Sequence, residues 1–166
     1  MRRERFGVEG MHDSATVANR FLELANEAKK TLTPMQLLKL VYIAHGWSLG
    51  LYGVPLIRHE VQAWQYGPVI PELYERIRKF KSLPVEGPVK ASRRDQLSDR
   101  DLDIIRQVFV RYGDLPGPAL SRITHADGTP WTLTYRPGTF GLVISNDLIE
   151  DYYFRLANRN DASAAA

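Results

Sequence analysis

The sequence predicts a mainly α-helical protein, a compact bundle of five to seven helices carrying a small antiparallel β-hairpin or three-stranded element. Three observations predict it. Apolar residues recur at helical spacing in several segments, two of which open on a capping box or its close equivalent. One segment, residues 56–66, alternates apolar and polar as a half-buried strand does. The chain has 166 residues, 44% of them hydrophobic and 25% charged, which suits one hydrophobic core and not a disordered composition.

The elements follow in order. Asp13 or Ser14 can cap a first helix, in which Ala18, Phe21, Leu22, Ala25 and Ala28 fall at helical spacing. Thr33-Pro34-Met35-Gln36 then offers a capping box with proline at the first helical position. The helix behind it runs through Leu37, Leu38, Leu40, Val41, Ala44 and Trp47 and is expected to end at Gly50 and Gly53. Apolar over most of its circumference, it belongs in the middle of the domain.

In the strand at 56–66, Ile57, Val61 and Ala63 share one face, and Arg58, Glu60, Gln62, Trp64 and Tyr66 share the other. Gly67-Pro68 is expected to turn the chain. Pro71 starts a third helix with Leu73, Tyr74, Ile77 and Phe80 on one stripe. Residues 83–92, with Pro84, Gly87 and Pro88, read as a loop with room for a short strand at 89–91. Ser98 with Asp101 caps a fourth helix through Leu102, Ile105, Phe109 and Tyr112, stopped by Gly113.

A short helix is expected around 119–124, and a second brief helical start at Thr129-Pro130-Trp131. A small strand at 142–144 precedes a last helix, capped by Ser145, with Leu148, Ile149, Tyr152, Tyr153 and Leu156 apolar. The expected organisation is a flexible N-terminal extension at 1–13, one domain at 14–157 and a flexible, polar to alanine-rich tail at 158–166.

Composition narrows the function. The absence of cysteine excludes disulfide scaffolds, thiolate zinc sites and cysteine nucleophiles, and it fits a reducing cytoplasm. No apolar run approaches the roughly 20 residues that span a bilayer, so no membrane partner is expected. Met1-Arg2-Arg3-Glu4-Arg5 is basic, but no apolar stretch follows to make it a signal peptide. Met11 offers a second possible start. Without residues 1–10 the net charge moves only from +3 to +2. So mild a balance permits nucleic-acid contact without pointing to it.

No catalytic or metal constellation stands out. His12, His45, His59 and His125 have no metal-ligand spacing among them, so neither metal nor cofactor is expected. Gly46-Trp47-Ser48-Leu49-Gly50 spells G-x-S-x-G, but its serine lies inside a well-capped helix, not on a strand-to-helix turn. The protein is therefore expected not to be an enzyme. Arg93-Arg94 with Trp64 and Tyr66 allows a nucleic-acid reading, against a solvated loop and core-edge aromatics. More informative are the aromatics around the hairpin: Trp47, Tyr52, Trp64, Tyr66 and Tyr74. Trp64 and Tyr66 are either binding anchors on an open strand face or packing residues beneath a helix. Periodicity does not choose between them.

Two long runs carry a resemblance. Lys39-Leu40-Val41-Tyr42-Ile43-Ala44-His45-Gly46-Trp47 is followed by Gly53-Val54-Pro55-Leu56. Then comes Glu60-Val61-Gln62-Ala63-Trp64-Gln65-Tyr66-Gly67-Pro68-Val69-Ile70-Pro71-Glu72-Leu73-Tyr74. These resemble the SocA-like family, whose Panacea antitoxin domain recurs in bacterial and prophage genomes. Thr124-His125, Pro130-Trp131, and Ile144-Ser145 leading to Tyr153-Phe154 match its C-terminal half, so the resemblance covers about 14–157.

The resemblance implies a cytoplasmic antitoxin of a type II toxin-antitoxin system. Such a protein neutralises a protein toxin encoded nearby by direct binding, and some members act as proteolytic adaptors that present the toxin to a Clp-type protease. It marks Lys39, Tyr42, Trp64 and Tyr66 as partner-binding residues; Lys39 and Tyr42, at i and i+3, would frame one patch. His125 and Trp131 match as structural-motif or partner-binding residues, with Trp131 expected to be buried and to fix a turn. The alternative is a DNA-binding or transcriptional regulatory protein of prophage origin.

Overall fold

The computed structural model describes residues 11–92 and 95–165; residues 1–10 of the extension expected at 1–13 and the pair Arg93-Arg94 lie outside the described residues. In chain order the elements are α1 (Ser14–Glu27), α2 (Pro34–Tyr52), β1 (Val61–Trp64), β2 (Gly67–Val69) and α3 (Pro71–Ile77), the last continued by a 3-10 turn at Arg78–Phe80. Then come α4 (Asp99–Tyr112), α5 (Gly117–His125), α6 (Pro130–Thr134), β3 (Leu142–Ile144) and α7 (Asn146–Ala165). Among the described residues this is a mainly α fold of seven helices with one three-stranded antiparallel sheet, ordered β2-β1-β3.

α2 organises the packing because it is apolar on nearly every side. It is buried from Leu37 to Gly50 and touches α1, α4, α5 and α7. Its start is the expected capping box: Gln36 N donates to Thr33 Oγ1 at 3.3 Å, and Thr33 N to Gln36 Oε1 at 2.8 Å. Its end differs from expectation. Gly50 does not stop the helix, which runs on to Tyr52 and closes at Gly53, whose φ of +67° suits glycine.

Gly50 serves the approach of α7. A Cβ there would lie 2.6 Å from Tyr153 Cβ, 2.7 Å from its carbonyl carbon and 2.8 Å from Phe154 N, and a Cβ on Gly46 would strike the Tyr153 ring. Gly50→Ala should therefore destabilise the fold by about 2 kcal/mol. Overpacking against backbone outweighs the ~1 kcal/mol that alanine gains in helix propensity. Urea unfolding measures the net sign, and a midpoint that rises would refute so close an α2–α7 contact.

The strand expected at 56–66 is shorter, Val61–Trp64. Its first half is held by partners distant in sequence. His12 N donates to Leu56 O at 2.9 Å, Arg58 N donates to His12 O at 3.0 Å, and Ile57 makes only a parallel bridge to His12. Gly67-Pro68 is not the turn; Gly67–Val69 is β2, and Gln65 and Tyr66 make the turn. Gln62 pairs with Val69 on one side and with Val143 of β3 on the other. No strand forms at 89–91, because the Asn19 amide accepts from Val89 N at 2.7 Å and donates to Val89 O at 2.8 Å, taking both bonds a neighbouring strand would.

Burial reaches ahead of residue 14 at one end, and regular structure reaches past residue 157 at the other. His12 is buried, with Nε2 2.8 Å from Asp101 Oδ2, so the ordered fold begins ahead of Ser14. At the other end the backbone of α7 stays helical to Ala165, beyond the fraying expected from 158. Among the described residues no helix is long and apolar enough to cross a membrane.

Candidate partner-binding surface

β1 divides its residues as a two-faced strand should. Val61 and Ala63 are buried, while Gln62 and Trp64 on the other face are half-buried. The same face is buried at its β2 end, where Val69 pairs with Gln62, and grows more exposed toward β3 and the hairpin turn. The Trp64 ring stands edge-on to Tyr74 at 5.0 Å and tilted against Phe140 at 5.1 Å, and its indole N–H donates to Gln62 Oε1 at 3.0 Å. Val143, the register partner of Gln62, extends the same face. Tyr66 caps the hairpin turn. Tyr66 at the turn, Phe140 in the loop before β3 and Val143 on β3 are 68%, 79% and 49% exposed, high values for such side chains.

Behind this face a second aromatic set holds the hairpin in place. Trp131 donates its indole N–H to Trp64 O at 2.6 Å, stacks on Tyr135 at 4.5 Å and meets His125 edge-on at 5.3 Å. Ser121 Oγ donates to Tyr66 O at 2.6 Å and lies 3.3 Å from His125 Nδ1. Trp131 is half-buried, less enclosed than expected, and His125 stands beside it. These two residues brace the strand that carries Trp64.

The structure does not bring Lys39 and Tyr42 to this surface. Lys39 is 3% exposed, its ammonium donating to Pro68 O at 2.8 Å, and burial pushes its pKa down to about 8. Tyr42 is 1% exposed, edge-on to Tyr153, and burial raises its pKa well above the usual tyrosine value. Both side chains are interior in this structure, apart from the sheet face that holds Trp64. From Leu37 to Gly50 the helix is enclosed on all sides and has no outward face on which to frame a patch. Lys39 instead ties β2 to α2.

Phe140 and Val143 escaped sequence reasoning. The available signal was an aromatic residue set between Gly138 and Gly141 in a loop, where nothing local would bury it. Ser48 is no nucleophile on a turn, for its hydroxyl is buried within α2 and donates to Val54 O at 2.6 Å. His45 accepts at Nδ1 from Leu56 N (3.2 Å) and Ile57 N (3.3 Å), so its Nε2–H donates to Asn146 Oδ1 at 3.0 Å. Ser14 Oγ lies 2.8 Å from His59 Nδ1, but Ser14 is fully buried and acts as a strut at the start of α1. Among the described residues no group of three or more His, Asp or Glu could hold a metal.

Comparison with known proteins matches residues 37–132, which include α2, the hairpin and the Trp131 brace, to the model of the antitoxin SocA-like, Panacea domain family. The chain belongs to that family. It is also similar to the antitoxin SocA of Caulobacter vibrioides (strain NA1000 / CB15N), 32% identical over 160 residues that cover 85% of this chain and 82% of that protein. No solved structure matches it significantly. Within this SocA-like chain, Trp64, Tyr66 and Trp131 all fall inside the matched span, whereas Phe140 and Val143 lie beyond it.

Proposed function

We propose that this chain is the antitoxin of a type II pair and neutralises a protein toxin by binding it through the outer face of the three-stranded sheet. The observation that carries this is the Trp64–Phe140 aromatic pair on the sheet, with exposed Tyr66 at the adjoining hairpin turn, in a chain of an antitoxin family. Large, stiff aromatic side chains bury much area at little entropic cost, which is why they dominate interface energetics. With a net charge of +3, electrostatic attraction to a nucleic-acid backbone offers little support for the DNA-binding alternative.

The test is growth rescue when the toxin gene encoded beside this one is expressed with and without the antitoxin. Tyr66→Ala and Phe140→Ala are the decisive variants, because both side chains are exposed enough that truncation should leave the melting temperature nearly unchanged. Each should cost ~2 kcal/mol of binding, roughly thirtyfold in affinity, and weaken rescue. Trp64→Ala should lose rescue and also melt earlier, since its ring packs on Tyr74. Toxin abundance separates the two routes to neutralisation. Occlusion leaves the toxin level unchanged, whereas delivery lowers it only when a Clp-type protease is present. A neighbouring gene that is harmless alone, with full rescue retained by both exposed variants, would defeat the reading.

A further inference from the structure

A second surface lies between α2, α4 and α7, sharing no residue with the sheet face. It is an open groove of about 240 Å³, floored by Trp47, Ile104 and Val108 and flanked by Leu51, Tyr52 and Tyr112. Leu51 and Tyr52 are 50% and 47% exposed at its lip. The volume admits one or two bulky apolar side chains and is small for a free ligand.

Its charged groups are of one sign. Arg111 lines the groove with its guanidinium 5.6 Å from the Tyr112 ring centre, and Arg100 lies 4.7 Å over the Tyr52 ring. Both arginines are exposed, and among the described residues neither forms an ion pair. The nearby acids are otherwise engaged or turned elsewhere. Asp103 is bonded to Arg106 and Gln107, Asp114 pairs with Lys30, and Glu150 approaches Gly53.

Arg100 and Arg111 are eleven positions apart on α4. That spacing is three helical turns, so both fall on the same face about 16 Å apart, with the apolar floor between them. We propose that this groove binds an acidic amphipathic helix of a protein partner. One or two of its apolar side chains sit on the Trp47–Val108 floor, and carboxylates about three turns apart face Arg100 and Arg111. This is helix-in-groove recognition with register set by charge.

The full chain is titrated with a labelled synthetic helix of roughly 16 residues. Its probe face carries central leucine and phenylalanine, with glutamates eleven positions apart, and the control peptide has lysine at both glutamate positions. Anisotropy and the tryptophan emission to which Trp47 contributes should both saturate. The acidic peptide should bind at least ~10-fold tighter than the lysine peptide and weaken as salt rises. Arg100→Glu with Arg111→Glu should abolish that preference, and Leu51→Glu should weaken binding ~10-fold, with melting temperatures near the parent's. Equal binding of the two peptides, no saturation to roughly 1 mM, or indifference to the arginine reversals would overturn the proposal. So would a dimer in sedimentation that Leu51→Glu dissolves, since the groove would then hold a second copy. Failure here leaves the toxin-binding reading untouched, because the readouts use different residues.

Discussion

Replacing Asp13 by alanine is expected to remove about 3–5 kcal/mol of stability, the range for breaking a buried ion pair on one side. Against a typical reserve of roughly 5–15 kcal/mol, that leaves the fold close to unfolding. The carboxylate is fully buried and joins four parts of the chain. Oδ1 accepts from Ala15 N at the start of α1 (2.8 Å) and from Arg76 Nη1 beyond the hairpin (2.8 Å). Oδ2 accepts from Ser92 N (2.8 Å), Ser92 Oγ (2.7 Å) and, more loosely, Arg58 Nη2 (3.4 Å). Burial alone would raise its pKa; the Ser92 and Ala15 bonds and the Arg76 charge outweigh that and hold it well below the ordinary carboxylate range.

Alanine would leave two partly buried guanidiniums without this charge and two backbone N–H groups without an acceptor. Asp13→Asn separates the contributions, because asparagine caps a helix about as well but carries no charge. The asparagine variant should fall between the parent and alanine in urea unfolding. A loss under ~1 kcal/mol for alanine would show that the cluster contributes little.

What the sequence disclosed and what it hid divide along the range of the interactions concerned. The starts of α1, α2 and α4 were readable because Asp13, Thr33 with Gln36, and Ser98 with Asp101 bond within three residues of themselves. The strand at 56–66 was overextended because its first half is bonded to His12 and His45, contacts that alternation along a strand does not encode. The strand expected at 89–91 failed for the same reason, its partner being a side chain seventy positions away.

Gly50 looked like a stop because glycine ordinarily breaks helices; only the path of α7 explains it. At the candidate surface, alternation separated Trp64 and Tyr66 from the core residues of β1. It carried no sign of Phe140, which reaches Trp64 from a loop 76 positions on. The pattern of α2 says buried without saying which way the long side chains of Lys39 and Tyr42 turn, and both turn inward.

Acidification should destabilise the fold between about pH 6.5 and pH 4 by about 3 kcal/mol through His45 alone. His45 is 0% exposed, and burial pushes its pKa down to about 4, against a small opposing pull from Asn146. The geometry explains the resistance to protonation. Nδ1 already accepts from two backbone N–H groups, so a proton placed there would face two donors and lose both bonds. The unfolded chain takes up its proton as pH falls through 6.5, while the folded chain refuses it until about 4. Across that window the unfolded state binds more protons and stability drops by up to ~1.4 kcal/mol per pH unit.

His59, whose pKa burial also lowers, adds loss in the same direction, and Asp13 adds its own only below about pH 4, where unfolded carboxylates protonate. Urea midpoints measured from pH 7.5 to 4.5 should therefore decline steadily, while the His45 ring resonances in the native protein stay at their neutral positions to about pH 5. In His45→Gln the parent stability at pH 7 is reduced but the decline is shallower. A ring that titrates near 6.5 in the folded protein, or an unchanged slope in the glutamine variant, would place the acid sensitivity elsewhere.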